Sequence, residues 1–289
     1  MRDVTVALDA GAELGEGPRW HQGEQRLYWV DIARKELHRF DPATGEDEVR
    51  RFDDPVACFA FRESGGFVLG MKKGCALLDS FDGAPQPFGP QILADKPHHR
   101  FNDGRTDAAG RFWLGSMNGA KDAHDAALYR LDHDATLTEI ESGMLTCNGA
   151  AFSADGLYFT HADTPSHRLR LYDVVDGNLT GSRTLHQFEM GTGRPDGGSF
   201  DQEGCYWSAL FDGSRVVRLN MAGEIVETVK LPVSRPTMIA FGGEDLRTAY
   251  VTTAWTGLSE DDRAAQPLAG ALFSFRVDVP GVPEYPFAG

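Results

Sequence analysis

The chain has 289 residues, 41% of them hydrophobic, enough for a sizeable buried core. Its 28 Lys and Arg against 43 Asp and Glu leave a formal net charge of −15, with the acids spread along the chain, which argues against nucleic acid or anionic membranes as partners. The opening stretch MRDVTVALDAGAELGEGP lacks the apolar core of a secretion signal, no apolar run reaches the ~20 residues of a membrane helix, and the four cysteines form no CxxC pair, so a cytoplasmic protein with free thiols is expected.

An apolar, aromatic-rich strand recurs along the chain: RLYWVDI (26–32), GFVLGM (66–71), RFWLGSM (111–117), LYFTHAD (157–163), CYWSALF (205–211) and TAYVTTA (248–254). Their first residues lie 40, 45, 46, 48 and 43 apart, a period that marks a repeat architecture. A strand of small and apolar residues precedes it, as in NGAAFS or DGGSFD, and the two are joined by a tight turn such as SADG, DAAG or DQEG. Alternating third strands follow, ALYRLD (127–132), HRLRLYD (167–173) and RVVRLN (215–220), and a fourth such as IVETVKLP (225–232). Four short antiparallel strands per repeat, without helical periodicity, describe a propeller blade. Six repeats predict an all-β, six-bladed β-propeller, one domain over residues 1–289. A β-helix or two stacked sandwiches would not account for so long a four-stranded repeat. VTVAL (4–8) and ALFSFRVDV (271–279) are expected to pair, closing the ring and covering an edge.

The first strand of each blade should line the central channel, so residues at one phase of the repeat should ring it at similar depth. An acid or amide stands eight residues before a glycine in three repeats: Asn102 before Gly110, Asn148 before Gly156, Asp196 before Gly204. An aromatic four residues on sets the same phase for Asn148, Asp196, Glu16, Ala57 and Thr237; in the third repeat Thr106 stands at that offset from Asn102. Asn-Gly and Asp-Gly pairs alone are turn signals. Four oxygen donors at one phase, Glu16, Asn102, Asn148 and Asp196, point instead to one hard divalent cation in the channel.

The motifs LGEGPRW (14–20), RFNDGRTDAAGRFWLGSM (100–117), CNGAAFS (147–153), RPDGGSFDQEGCYWSAL (194–210), FGGEDLRTAYVTTA (241–254) and QPLAGALFSF (266–275) together resemble the senescence-marker-protein/gluconolactonase family, also called the regucalcin family. The resemblance spans nearly the whole chain. It implies a metal held by Glu16, Asn148 and Asp196 with Asn102 beside it, hydrolysis of a sugar lactone, and a catalytic base at Asp196. The cation itself remains an alternative activator of the water. Ca²⁺, Mn²⁺, Fe²⁺ and Zn²⁺ all suit these ligands. Substrate contacts are expected from Arg100, Asn102 and Asp122, the last shorter by one methylene than the family's Glu. Metal-dependent arylesterase or phosphotriesterase chemistry, and calcium binding without catalysis, are the competing functions. The implied partner is a small sugar lactone met by a monomer.

Overall fold

The computed structural model describes residues 2–289. It contains six four-stranded antiparallel sheets. Their inner strands are Gly15–His21, Val56–Phe61, His99–Thr106, Cys147–Phe152, Arg194–Phe200 and Pro236–Gly242, and each packs against the next around one channel. The fold is the expected six-bladed β-propeller. The recurrent apolar strands become the second strand of each blade, at Arg26–Asp31, Phe67–Met71, Phe112–Asn118, Tyr158–Asp163, Tyr206–Phe211 and Thr248–Thr253. Five blades take consecutive strands. The sixth takes its outer strand from the other end of the chain: Thr5–Leu8 pairs with Leu272–Arg276, Thr5 opposite Ser274 and Val6 opposite Phe273. A short exposed helix, Glu260–Ala265, is inserted in the sixth blade, its first turn capped by the Ser259 hydroxyl, which accepts from the Asp262 amide at 3.1 Å. Six residues are too few to show a helical period.

Aromatic side chains at the second-strand phase fill the wedges between blades. Trp113 meets Phe152 and Phe159 of the next blade at 5.8 and 5.7 Å, and Trp207 meets Phe241 and Phe275 at 6.1 Å each. Trp20 stacks on Tyr250 at 5.9 Å across the first and sixth blades. Such pairs add ~0.5–1.5 kcal/mol each beyond area burial. The turn acids pin them. Asp201 is wholly buried and accepts from the Trp207 indole at 2.9 Å, the Arg218 guanidinium at 2.7 Å and the amides of Glu203 and Cys205. Asp107 repeats the pattern with Trp113, Arg111 and the amides of Ala109 and Arg111.

At the same height in every blade the inner strand slips register against the second: between Glu16 and Arg19, Val56 and Cys58, Phe101 and Gly104, Asn148 and Ala151, Pro195 and Gly198, Pro236 and Met238. Such bulges re-aim side chains. Gly17 and Gly149 follow Glu16 and Asn148 with φ of +55° and +67°, so those Asn-Gly and Glu-Gly pairs serve the bulge, not a hairpin.

The C-terminal segment straps the other end of the channel. Val282 and Gly281 donate to Phe200 and Leu246, and Phe287 and Ala288 donate to Phe61 and Gly110, tying four blades. Glu284 enters the channel, paired with Arg105 and 3.7 Å from Arg19.

Asp201→Ala should destabilise the fold by about 1–3 kcal/mol, because it strips the buried Trp207 indole and two turn amides of their acceptor and leaves the half-buried Arg218 with Glu203 alone. Urea denaturation checks this; a loss below ~1 kcal/mol would mean that Asp201 does not anchor its blade.

Candidate functional site

Five of the six predicted site residues line one cavity of about 320 Å³ near the start of the inner strands: Glu16, Arg100, Asn102, Asn148 and Asp196. The bulges bring them there from four blades. Glu16, Asn102, Asn148 and Asp196 are all buried, at 4–8% exposure. Thr106 occupies the strand-end position that Phe152 and Phe200 hold elsewhere, pairing with Phe112 as they pair with Phe159 and Tyr206, so Asn102 is the correct phase in the third blade.

A directed chain of hydrogen bonds orients the amides. Arg100 donates to the Asn102 Oδ1 at 2.6 Å and to the Phe101 carbonyl at 2.9 Å. The Asn102 Nδ2 donates to the Asn148 Oδ1 at 2.7 Å and the Cys147 carbonyl at 2.9 Å. The Asn148 Nδ2 donates to the Thr164 Oγ1 at 2.8 Å, and Thr164 donates to the Pro195 carbonyl at 2.9 Å, one residue before Asp196. Each link sets the next group's orientation because an amide cannot reverse without losing both bonds. Burial lowers the Arg100 guanidinium to about 10, leaving it charged at neutral pH.

The carboxylates are the unsatisfied part. Glu16 accepts from the Gly17 amide at 3.0 Å. Burial, then repulsion from Asp103, raises it from 4.5 to about 8. Burial and repulsion from Glu16 and Asp103 raise Asp196 well above the usual carboxylate range. Two acids that each oppose the other's ionisation form a site that a cation would relieve. Among the described residues no three His, Cys, Asp or Glu side chains cluster closely enough to hold a metal. A cation here would rely on two carboxylates and the carboxamide oxygens of Asn102 and Asn148.

Asp122 does not line the cavity. It sits exposed on the 119–125 loop, accepting from the Asn118 Nδ2 at 2.9 Å, while its neighbour Lys121 lines the cavity. Sequence reasoning also missed Thr164 and Asp103. Thr164 follows a second strand and opens a single 3-10 turn, with no repeat phase to flag it. Asp103 stands beside a candidate ligand, its carboxylate accepting from the Gly104 and Ala150 amides. Arg19 reaches the channel but turns from the cavity, donating to the Gly104 carbonyl. His99 pairs with Asp125 at 2.9 Å, and His161 is a buried core histidine held at about 3 by burial. Cys58, Cys75 and Cys147 are buried free thiols, and Cys205 is a half-buried one. No helix among the described residues is long and apolar enough to cross a membrane.

The family model for the SMP-30/Gluconolactonase/LRE-like region matches residues 14–255. A 6-deoxy-6-sulfogluconolactonase of Pseudomonas putida is 43% identical over 282 residues, covering 96% of this chain and 95% of that protein. A regucalcin of Danio rerio is 34% identical, covering 99% and 98%. Among solved structures, a calcium-binding protein, regucalcin, of Agrobacterium tumefaciens superposes with a TM-score of 0.95 at 25% identity, covering 100% and 98%.

In chelator-treated protein, Glu16 in the folded state keeps a proton that the unfolded chain releases near 4.5, so stability falls as pH rises toward about 8. The melting temperature should decline across that window, and Glu16→Gln should flatten the decline. A profile identical in the variant would remove Glu16 from the repelling pair.

Proposed function

On the premise that this chain belongs to the SMP-30/gluconolactonase/LRE-like family, we propose that it is a lactonase, a hydrolase opening the cyclic ester of a sugar lactone to its aldonic acid in oxidative sugar breakdown. The observation that carries the proposal is the pair of buried, mutually repelling carboxylates, Glu16 and Asp196, sharing one cavity wall with two oriented carboxamides. The cavity volume of about 320 Å³ suits a single small sugar.

Glu16, Asp196 and Asn148 would hold one divalent cation, with Asn102 beside it, and their oxygen donors suit Ca²⁺, Mn²⁺, Fe²⁺ or Zn²⁺. When bound, such an ion stabilises negative charge developing on an ester carbonyl oxygen and acidifies water. The chain's own residues supply the rest. Asp196 accepts the proton of the attacking water as its oxygen adds to the lactone carbonyl, and returns that proton to the ring oxygen when the acyl C–O bond breaks. Arg100 fixes Asn102, and through it Asn148, so that neither carboxamide must reorganise as charge develops. Asn102 and Arg100 are also the groups available to sugar hydroxyls. A cavity with Arg100 beside its acids and Lys121 and Arg194 at its mouth suits a polar substrate better than an aryl ester.

Calcium binding without turnover is the second possibility, favoured by the similarity to proteins called regucalcin. It shares the cation site and differs in having no catalytic step.

Asp196→Asn should lower lactone turnover by about 10²–10⁴-fold. It should leave the metal-free melting temperature unchanged or higher, because one of two repelling acids is neutralised. A pH-indicator assay and a thermal melt check both; near-native turnover would remove Asp196 from the mechanism. Chelation should abolish lactone opening, and one divalent cation added back should restore it. Tight Ca²⁺ binding with no opening of any aldonolactone would favour the calcium-binding alternative.

A further inference from the structure

The cavity's charges are segregated. Its acids, Glu16 and Asp196, are buried, whereas Lys121 is exposed and Arg194 half-buried. The 119–125 loop is built to present that lysine. Asn118 is only 1% exposed and acts as a hub: its Oδ1 accepts from the Ala120 amide at 3.0 Å and its carbonyl from the Lys121 amide at 3.2 Å. Its Nδ2 donates to Asp122, Asp125 and the Ala123 carbonyl, drawing the loop's acids onto itself. Lys121 is thereby held at a φ of +55°, a conformation that a non-glycine residue adopts only under local constraint. Lys121 faces the cavity without an acid in ion-pair range among the described residues.

Arg194 also lines the cavity. It shares Asp212 with Arg235, whose Nε lies 2.7 Å from the carboxylate. Both guanidinium groups lie 5.1 Å from the ring centroid of Phe211, another lining residue. Two cations on one carboxylate leave a surplus positive charge beside the mouth. In a chain of net charge −15, an outward-facing basic mouth above an acidic floor calls for a ligand of matching polarity.

We infer that Lys121 and Arg194 form a subsite for a terminal oxyanion, so that the preferred substrate is a sugar lactone carrying a carboxylate, sulfonate or phosphate on the carbon farthest from the ester. This rests on the lactonase proposal and adds the substrate's second charged end. The lactone carbonyl would face the acidic floor and the oxyanion the mouth, which fixes one orientation in the cavity.

The test compares kcat/KM for gluconolactone with its 6-carboxy, 6-sulfo and 6-phospho counterparts, in wild type and Lys121→Ala, with divalent cation present. One charge-assisted hydrogen bond corresponds to about tenfold to hundredfold. Wild type should favour an anionic lactone by at least that tenfold, the largest ratio naming the oxyanion, and Lys121→Ala should collapse the ratio toward one. A wild-type ratio near one, or a ratio unmoved by the substitution, would overturn the subsite. Calorimetric binding of the ring-opened acids separates this from the lactonase proposal. Tighter binding of the 6-anionic acid, lost in Lys121→Ala, upholds the subsite even if no lactone is opened. Equal binding of the 6-anionic and 6-hydroxy acids overturns it even if lactones are opened.

Discussion

Everything at the candidate site depends on a break in pairing repeated at one height around the channel. A strand alternates its side chains strictly between two faces, so an unbroken inner strand could not place its residues where these lie. The bulge adds a residue on one side of the ladder and turns the following backbone. Where the blade carries Glu16, Asn102, Asn148 or Asp196, the result is a polar group in the cavity. Where it carries Ala57 or Thr237, the side chain is simply buried, and the Thr237 hydroxyl donates to the Gly15 carbonyl at 2.5 Å. The same backbone device therefore serves binding and packing, and residue type alone decides which.

Charge is handled differently in the two halves of the channel. Toward the C-terminal strap the chain balances itself: Asp103 and Glu284 meet Arg19 and Arg105, and Arg105 also reaches the Gly198 carbonyl at 2.8 Å and the Ser199 hydroxyl at 2.9 Å. Toward the cavity, Arg100 is the nearest fixed cation. It is engaged with Asn102 and does not form a salt bridge with Glu16 or Asp196 among the described residues. An acid left unmatched beside an otherwise neutralised network marks where an external charge belongs.

The repeat carried most of the architecture. Second strands such as 157–163 and 205–211 were readable because a strand buried between blades needs aromatic and β-branched residues in every repeat. The ring of four oxygen donors was readable for the same reason: position in a repeat stands in for position in space. What lies outside the repeat was not. Lys121 and Asp122 differ by one place in a loop without periodicity, and which of them faces the cavity is decided by the Asn118 hub. Thr164 joins the amide chain through a contact between blades. Glu284 reaches Arg105 from a segment that follows the last repeat. For Thr164 and Glu284 the deciding partner is distant in sequence, and for the loop it is a hub three or four residues away in a segment with no repeat phase, so none of them leaves a periodic pattern.

The sixth blade has a consequence for how the molecule assembles. Its outer strand is made near residue 5 and its neighbour near residue 274, and the strap that follows ties blades two, three, five and six. Five blades consist of consecutive hairpins and can form as the chain emerges. The ring cannot lock until residues past 280 are available. Until Leu272–Arg276 is made Thr5–Leu8 has no sheet to join, and until the strap follows it the end of the channel holding Arg19 and Arg105 stands open. Contacts of such long sequence separation form slowly. The early strand therefore waits, unpaired, for a partner made more than 260 residues later, and its length of four residues and the charged Arg2 and Asp3 close before it limit its power to pair wrongly meanwhile.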